Sequence, residues 1–106
     1  MEKIKELLQI TQETLEKHKA QDISIIDLKD KSDIAKYFVI CSASVEKQVI
    51  SIARNLKKSL LQARYKNFTI TGLEDGNWVA IDIREVVVHI FRTPVREYYQ
   101  LEKLWN

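Results

Sequence analysis

The stretch Trp78–Phe91, WVAIDIREVVVHIF, constrains the fold more than any other part of this 106-residue chain. Two runs rich in β-branched and aromatic residues, Trp78–Ile83 and Val86–Phe91, flank the short polar step Arg84-Glu85, the pattern of two antiparallel strands joined by a tight turn. Alternation places Trp78, Ala80 and Asp82 on one face and Val79, Ile81 and Ile83 on the other. In the second strand Val86, Val88 and Ile90 share a face, opposite Val87, His89 and Phe91. Neither strand has a fully polar face, so helices or another protein must cover the hairpin on both sides.

The remaining segments supply that cover. Residues 2–18 have the spacing of an amphipathic helix, with Ile4, Leu7, Leu8, Thr11 and Leu15 on one stripe. Asp22–Leu28 reads as a strand, with Asp27 as a turn or capping residue. Tyr37–Cys41 is a continuous apolar run, expected to be buried on both faces. Ser42-Ala43-Ser44 leads into a helix over about Val45–Ala63. Ser44 is its expected N-cap, and Glu46 lies in the first turn, where a negative charge suits the dipole. Val45, Val49, Ile52, Ala53, Leu56 and Leu60 form the inward stripe. Lys47, Ser51, Arg54 and Lys58 line the far side. With Lys57 they make a phosphate-binding face conceivable, but no aromatic residues interleave them, and a solvated face is the preferred reading. Phe68–Thr71 is a further strand, and Asp75-Gly76 is a turn signal feeding the hairpin. Thr93-Pro94 reads as N-cap and first position of a last helix bearing Tyr98, Leu101 and Trp105, with Val95, Tyr99 and Glu102 alongside. The order α-β-β-α-β-β-β-α predicts an α/β (α+β) fold, a mixed sheet of about five strands with flanking helices, spanning residues 1–106 as one domain. The connection through residues 44–67 should be right-handed if its two strands are parallel neighbours.

Chemistry is mostly excluded. The net charge of +2 is too small to argue for nucleic acid by itself. The single cysteine, Cys41, forms no internal disulfide and reads as a structural thiol in a reducing compartment. No apolar run reaches the ~20 residues of a membrane span, and the first residues suit neither a signal nor a transit peptide, so a cytoplasmic protein with no membrane partner is expected. His18 and His89 have no partners at metal-ligand spacing, so no metal and no cofactor are expected. Ser42 and Ser44 before a helix suit a phosphate, but nucleotidyl transfer also needs closely spaced carboxylates, and the following strands offer only Asp82. The residues support no catalytic site.

DISIIDL, YFVICSAS-x-x-x-QV, WVAID, VVVHIF and R-x-Y-Y-x-LE-x-LW occur in that order across residues 20–105. Together they resemble the ribosomal silencing factor (Iojap) family of small bacterial and organellar proteins. The resemblance implies a nucleotidyltransferase-like fold without enzymatic activity. It implies binding to the fourteenth protein of the large ribosomal subunit, which blocks joining of the small subunit and represses translation under nutrient limitation. It places the contact surface on the Trp78–Ile83 strand and its neighbours, comprising Trp78, Ala80, Asp82, Ile83, Glu85 and Tyr99, with Tyr99 and also Glu102 the weaker candidates, since either could simply pack or cap. Trp78 is the expected aromatic anchor and Asp82 the expected partner of a basic residue; the structural alternative has Trp78 filling the core and Asp82 fixing the turn.

Three departures stand out. Ala43 replaces a usual Gly, Thr71-Gly72 replaces Glu-Gly, and Asp82-Ile83-Arg84-Glu85 replaces Asp-aromatic-Gly-Asp. If position 84 needs a positive φ, Arg costs about 1–2 kcal/mol there. Two other functions remain open at this stage: a nucleotidyltransferase using Ser42, Ser44 and Asp82, and a ribosomal-RNA binder using Lys47, Arg54 and Lys58. An exposed sheet edge or apolar hairpin face would also allow a homodimer.

Overall fold

A computed structural model describes residues 2–29, 35–100 and 103. In chain order the elements are α1 (Glu2–Lys17), β1 (Gln21–Asp27), β2 (Tyr37–Ala43), α2 (Glu46–Gln62), β3 (Thr69–Thr71), β4 (Trp78–Ile83), β5 (Val86–Arg92) and α3 (Thr93–Tyr99). The strands form one mixed five-stranded sheet in the order β1-β2-β5-β4-β3. Only β2 and β5 run parallel; the other three pairs are antiparallel. This is the expected α+β architecture. The strands joined by α2, however, are not neighbours, because β2 pairs with β5 and β3 lies at the far edge. The condition for a local right-handed unit is therefore not met.

Alternation decides what each face of the sheet carries. Val79, Ile81 and Ile83 of β4 and Val86, Val88 and Ile90 of β5 meet Leu7 and Leu15 of α1 and Val49, Ile52, Ala53, Leu56 and Leu60 of α2 in the main core. Leu56 and Leu60 are fully buried; truncating either to Ala would remove about 2–5 kcal/mol by lost transfer energy and the cavity left behind. Thr14 Oγ1 donates to Ser59 Oγ at 3.0 Å and ties α1 to α2. On the opposite face Ile26, Leu28, Ala35, Ile40, Val87 and Phe91 form a smaller cluster, with Phe38, Trp78 and Val95 packed on it. Among the described residues, α3 is the helix that packs on that cluster, through Val95.

Helix starts differ from expectation. Val45, not Ser44, occupies the N-cap of α2, with extended φ −131° and no side-chain cap bond. Val45 is also 53% exposed rather than inward. The start of α2 is held instead by Glu46, whose Oε1 lies 3.1 Å from Arg92 Nε. Likewise Arg92 caps α3, and Thr93 is its first residue. The Thr93 hydroxyl donates to Ala43 O at 3.2 Å, so it fastens the helix to the end of β2 rather than capping. Gln100 closes α3 in the left-handed region at φ 50°; Leu101, Glu102 and Trp105, expected to continue it, lie outside the described residues. Asp27 behaves as a turn residue, its Oδ1 accepting from Lys29 N at 2.9 Å.

The β4–β5 turn does require a left-handed residue, and Arg84 supplies it at φ 58°. Its side chain is exposed. Arg84→Gly should therefore raise stability by about 0.5–1 kcal/mol, the relief of left-handed strain less the added freedom of the unfolded chain. The check is a urea midpoint that moves upward with an unchanged slope.

Candidate partner-binding face

The second face of the sheet is built from cross-strand rows. Register pairs Trp78 with Phe91, Ala80 with His89 and Asp82 with Val87. Across the parallel pair, Phe38 meets Val87, Ile40 meets His89 and Ser42 meets Phe91. Paired residues share a face, so one row runs Phe38–Val87–Asp82, the next Ile40–His89–Ala80, and the third Ser42–Phe91–Trp78. α3 packs on the third row, with Tyr99 against Trp78. Ala80, the smallest side chain in the middle row, leaves a shallow step between Trp78 and Asp82.

Aromatic rings fix the shape of this face. Trp78 lies 4.9 Å from Phe91 and 4.9 Å from Tyr99 between ring centroids. Phe38 meets the His89 ring edge-on at 4.8 Å. Trp78 Nε1–H donates to His89 Nδ1 at 3.1 Å. An accepting Nδ1 means that the proton of the neutral imidazole sits on Nε2, a buried atom with no hydrogen-bond partner among the described residues. Burial pushes the imidazole pKa down to about 4. His89 is thus a neutral pillar that holds the Trp78 indole in place. It was not among the expected site residues, because an isolated histidine in an apolar strand gives no signal by itself. The hairpin register would have found it, since a two-residue turn after Ile83 sets Ala80 opposite His89.

Trp78 is seated from below by the loop that precedes it. Gly72 has φ +90°, and a Cβ there would lie 2.0 Å from Trp78 O. Asn77 Oδ1 accepts from Arg92 Nε at 2.9 Å, so the entrance to β4 is clamped to the end of β5.

Of the expected contact residues, Trp78, Ala80, Asp82 and Tyr99 come together on this face. Asp82 is exposed, Trp78 and Ala80 are half-buried, and Tyr99 is 47% exposed. Ile83 points to the opposite side and is 5% exposed in the main core, as its odd position in β4 requires. Glu85 sits in the turn, where its carboxylate is 3.0 Å from Lys36 Nζ. Its backbone oxygen accepts from Lys36 N and Tyr37 N. Trp78 packs on Phe91 and is half-buried.

The groups considered for catalysis do not converge. Ser42 is 1% exposed; its hydroxyl donates to Gln21 O at 3.4 Å and accepts from Arg96 Nη1 at 3.2 Å. Two strands and four residues separate it from Asp82, on the order of 16 Å. The buried Cys41 thiol is pushed up to about 12 and is inert as a nucleophile at neutral pH. Among the described residues no three His, Cys, Asp or Glu side chains are grouped to hold a metal ion, and no helix is long and apolar enough to cross a membrane.

Residues 1–106 match the family model described as ribosomal silencing factor during starvation. The ribosomal silencing factor RsfS of Halalkalibacterium halodurans is 41% identical over 101 residues, 95% of this chain and 86% of that protein. The RsfS of Bacillus subtilis is 37% identical over 102 residues, 96% of this chain and 86% of that protein. A crystal structure of a Chromobacterium violaceum protein superposes with a TM-score of 0.92 at 30% identity, covering 96% of this chain and 85% of that one.

Proposed function

The chain belongs to the ribosomal silencing factor (RsfS) family, and on that premise we propose that it silences ribosomes by occupying the large subunit where the small subunit must dock. The observation that carries this reading is the second face of the sheet. It presents Trp78, Ala80, Asp82 and Tyr99 together, and among the described residues α3 is the helix packed beside them. Accessible aromatic side chains such as Trp78 and Tyr99 are the anchors that protein-binding centres favour. The partner we assign is the fourteenth protein of the large subunit. Asp82 pairs there with a basic side chain, and Trp78 and Tyr99 fill an apolar recess. Glu85 extends the surface at the turn, and Ile83 supports it from the core side. A contact of about 800 Å² on each partner suffices for a specific complex. Because the bound factor and the small subunit claim the same space, the block follows occupancy, and no conformational change is needed.

The test is sedimentation of the protein with separated subunits on sucrose gradients, followed by addition of small subunits. The protein should travel with large subunits and reduce their joining. Trp78→Ala should weaken that association by about 2 kcal/mol, roughly thirtyfold. Asp82→Asn should weaken it by about 1 kcal/mol while leaving the melting midpoint in place, since an exposed substitution shifts stability by no more than ~0.5 kcal/mol. Large subunits that carry the protein and still join small subunits at the unimpeded rate would refute the proposal.

A further inference from the structure

On the opposite side of the molecule, the outer surface of α2 has a charge pattern that the protein-binding face does not use. From Lys47 to Leu73 the chain contains six basic residues, Lys47, Arg54, Lys57, Lys58, Arg64 and Lys66, and no acidic one. The rest of the chain is therefore net acidic, although the whole carries only +2. Lys47, Arg54 and Lys58 fall within roughly 40° of one another around the helix axis, with Lys57 about 80° from Lys47. All four are exposed. None of them forms an ion pair with a described residue, whereas Lys36 and Arg92 do. The stripe from Lys47 to Lys58 runs about 16 Å along the axis. Ser51, Asn55 and Gln62 are the polar neighbours on this surface, and Leu61 is 51% exposed at its end.

We infer that the outer face of α2 binds the phosphate backbone of duplex RNA through Lys47, Arg54, Lys57 and Lys58. The missing aromatic residues, which argue against a stacked single strand, are no obstacle for a duplex, whose strands are recognised by phosphate and sugar contacts and by shape. At one phosphate charge per about 1.7 Å of duplex axis, a 16 Å stripe lies over more phosphates than four cations neutralise. The ribosomal setting of the proposed function supplies duplex RNA as the polyanion at hand; the inference rests on that reading for the source of the RNA only. With the two sides engaged at once, the sheet face would hold a protein and the helix face an RNA arm. Two linked contacts strengthen attachment beyond either alone.

The experiment uses the full chain and a fluorescein-labelled RNA duplex of about 16 base pairs, with anisotropy read between about 50 and 200 mM salt. Binding should weaken with salt at a log–log slope of about −3, and Lys57→Glu/Lys58→Glu should reduce affinity at least about tenfold and flatten the slope by about 2. Lys5→Glu/Lys17→Glu on α1 applies the same change of net charge elsewhere and should change both quantities far less. Thermal melts establish that each variant is folded. Equal losses from the α1 and α2 variants would overturn the assignment, as would equal affinity for single-stranded RNA or for phosphatidylserine vesicles. Asp82→Asn should leave duplex binding intact, so failure of the RNA site and failure of large-subunit binding register in separate assays.

Discussion

Gly72→Ala should lower stability by about 3 kcal/mol or more and the melting midpoint by roughly 12–24 °C for a domain of this size. Two costs combine. At φ +90° a side chain is strained wherever it points, and here the added Cβ would lie 2.0 Å from the carbonyl oxygen of Trp78. That oxygen belongs to a strand held on β5 by the pairing of Trp78 with Phe91, so neither side can yield cheaply. The start of β4 must move, and Trp78 with it. Gly76 makes a useful contrast. Its Cβ would meet Glu46 at 2.9 Å, partly a side-chain contact at a helix start, and Gly76→Ala should cost less. A Gly72→Ala protein melting within about 2 °C of the parent would mean that the loop does not approach Trp78 as described.

The second large effect is a dependence on pH. Burial holds the His89 pKa at about 4, below the ordinary 6.5. The folded state therefore binds fewer protons than the unfolded chain between these values. The sign follows directly: the contribution is fully present above pH 6.5, falls through that window, and is spent once the pH passes below about 4. The loss amounts to about 3 kcal/mol. Protonation at Nδ1 would also remove the acceptor that Trp78 Nε1–H uses, so the indole should loosen as the domain weakens. The neighbours of the ring on its own face are Phe38, Ile40, Ala80, Trp78 and Phe91, and none carries a charge. Urea midpoints from pH 7 to 4 in the parent and in His89→Phe isolate this contribution from that of the carboxylates. The parent should show the steeper decline, and parallel curves would mean that the imidazole is solvated.

Much of this arrangement is legible in the residues themselves. Alternation in WVAIDI and VVVHIF, with a two-residue step between them, already pairs Trp78 with Phe91 and separates Ile83 from Asp82. The inward stripes of α1 and α2 follow from helical spacing alone. Strand order does not, because Tyr37–Cys41 and Val86–Phe91 are both continuous apolar runs, and such runs do not specify a neighbour. Their parallel pairing joins residues about fifty apart and is decided by the whole sheet. The start of α2 at Val45 rather than Ser44 goes with a long-range contact: the Glu46–Arg92 ion pair ties the helix start to β5, and that contact has no trace near position 44. His89 is not legible in this way, because its significance lies in what stands across the sheet, not beside it in sequence.

The strand order carries a further consequence for how the chain is made. β5 occupies the centre of the sheet, between β2 and β4, yet it is the last strand to leave a translating ribosome. Until Val86–Arg92 emerges, the β1–β2 pair and the β3–β4 pair have no strand to join them, and each keeps an unsatisfied inner border. The sheet must therefore stay open until β5 has been synthesised, and its closure is a long-range event.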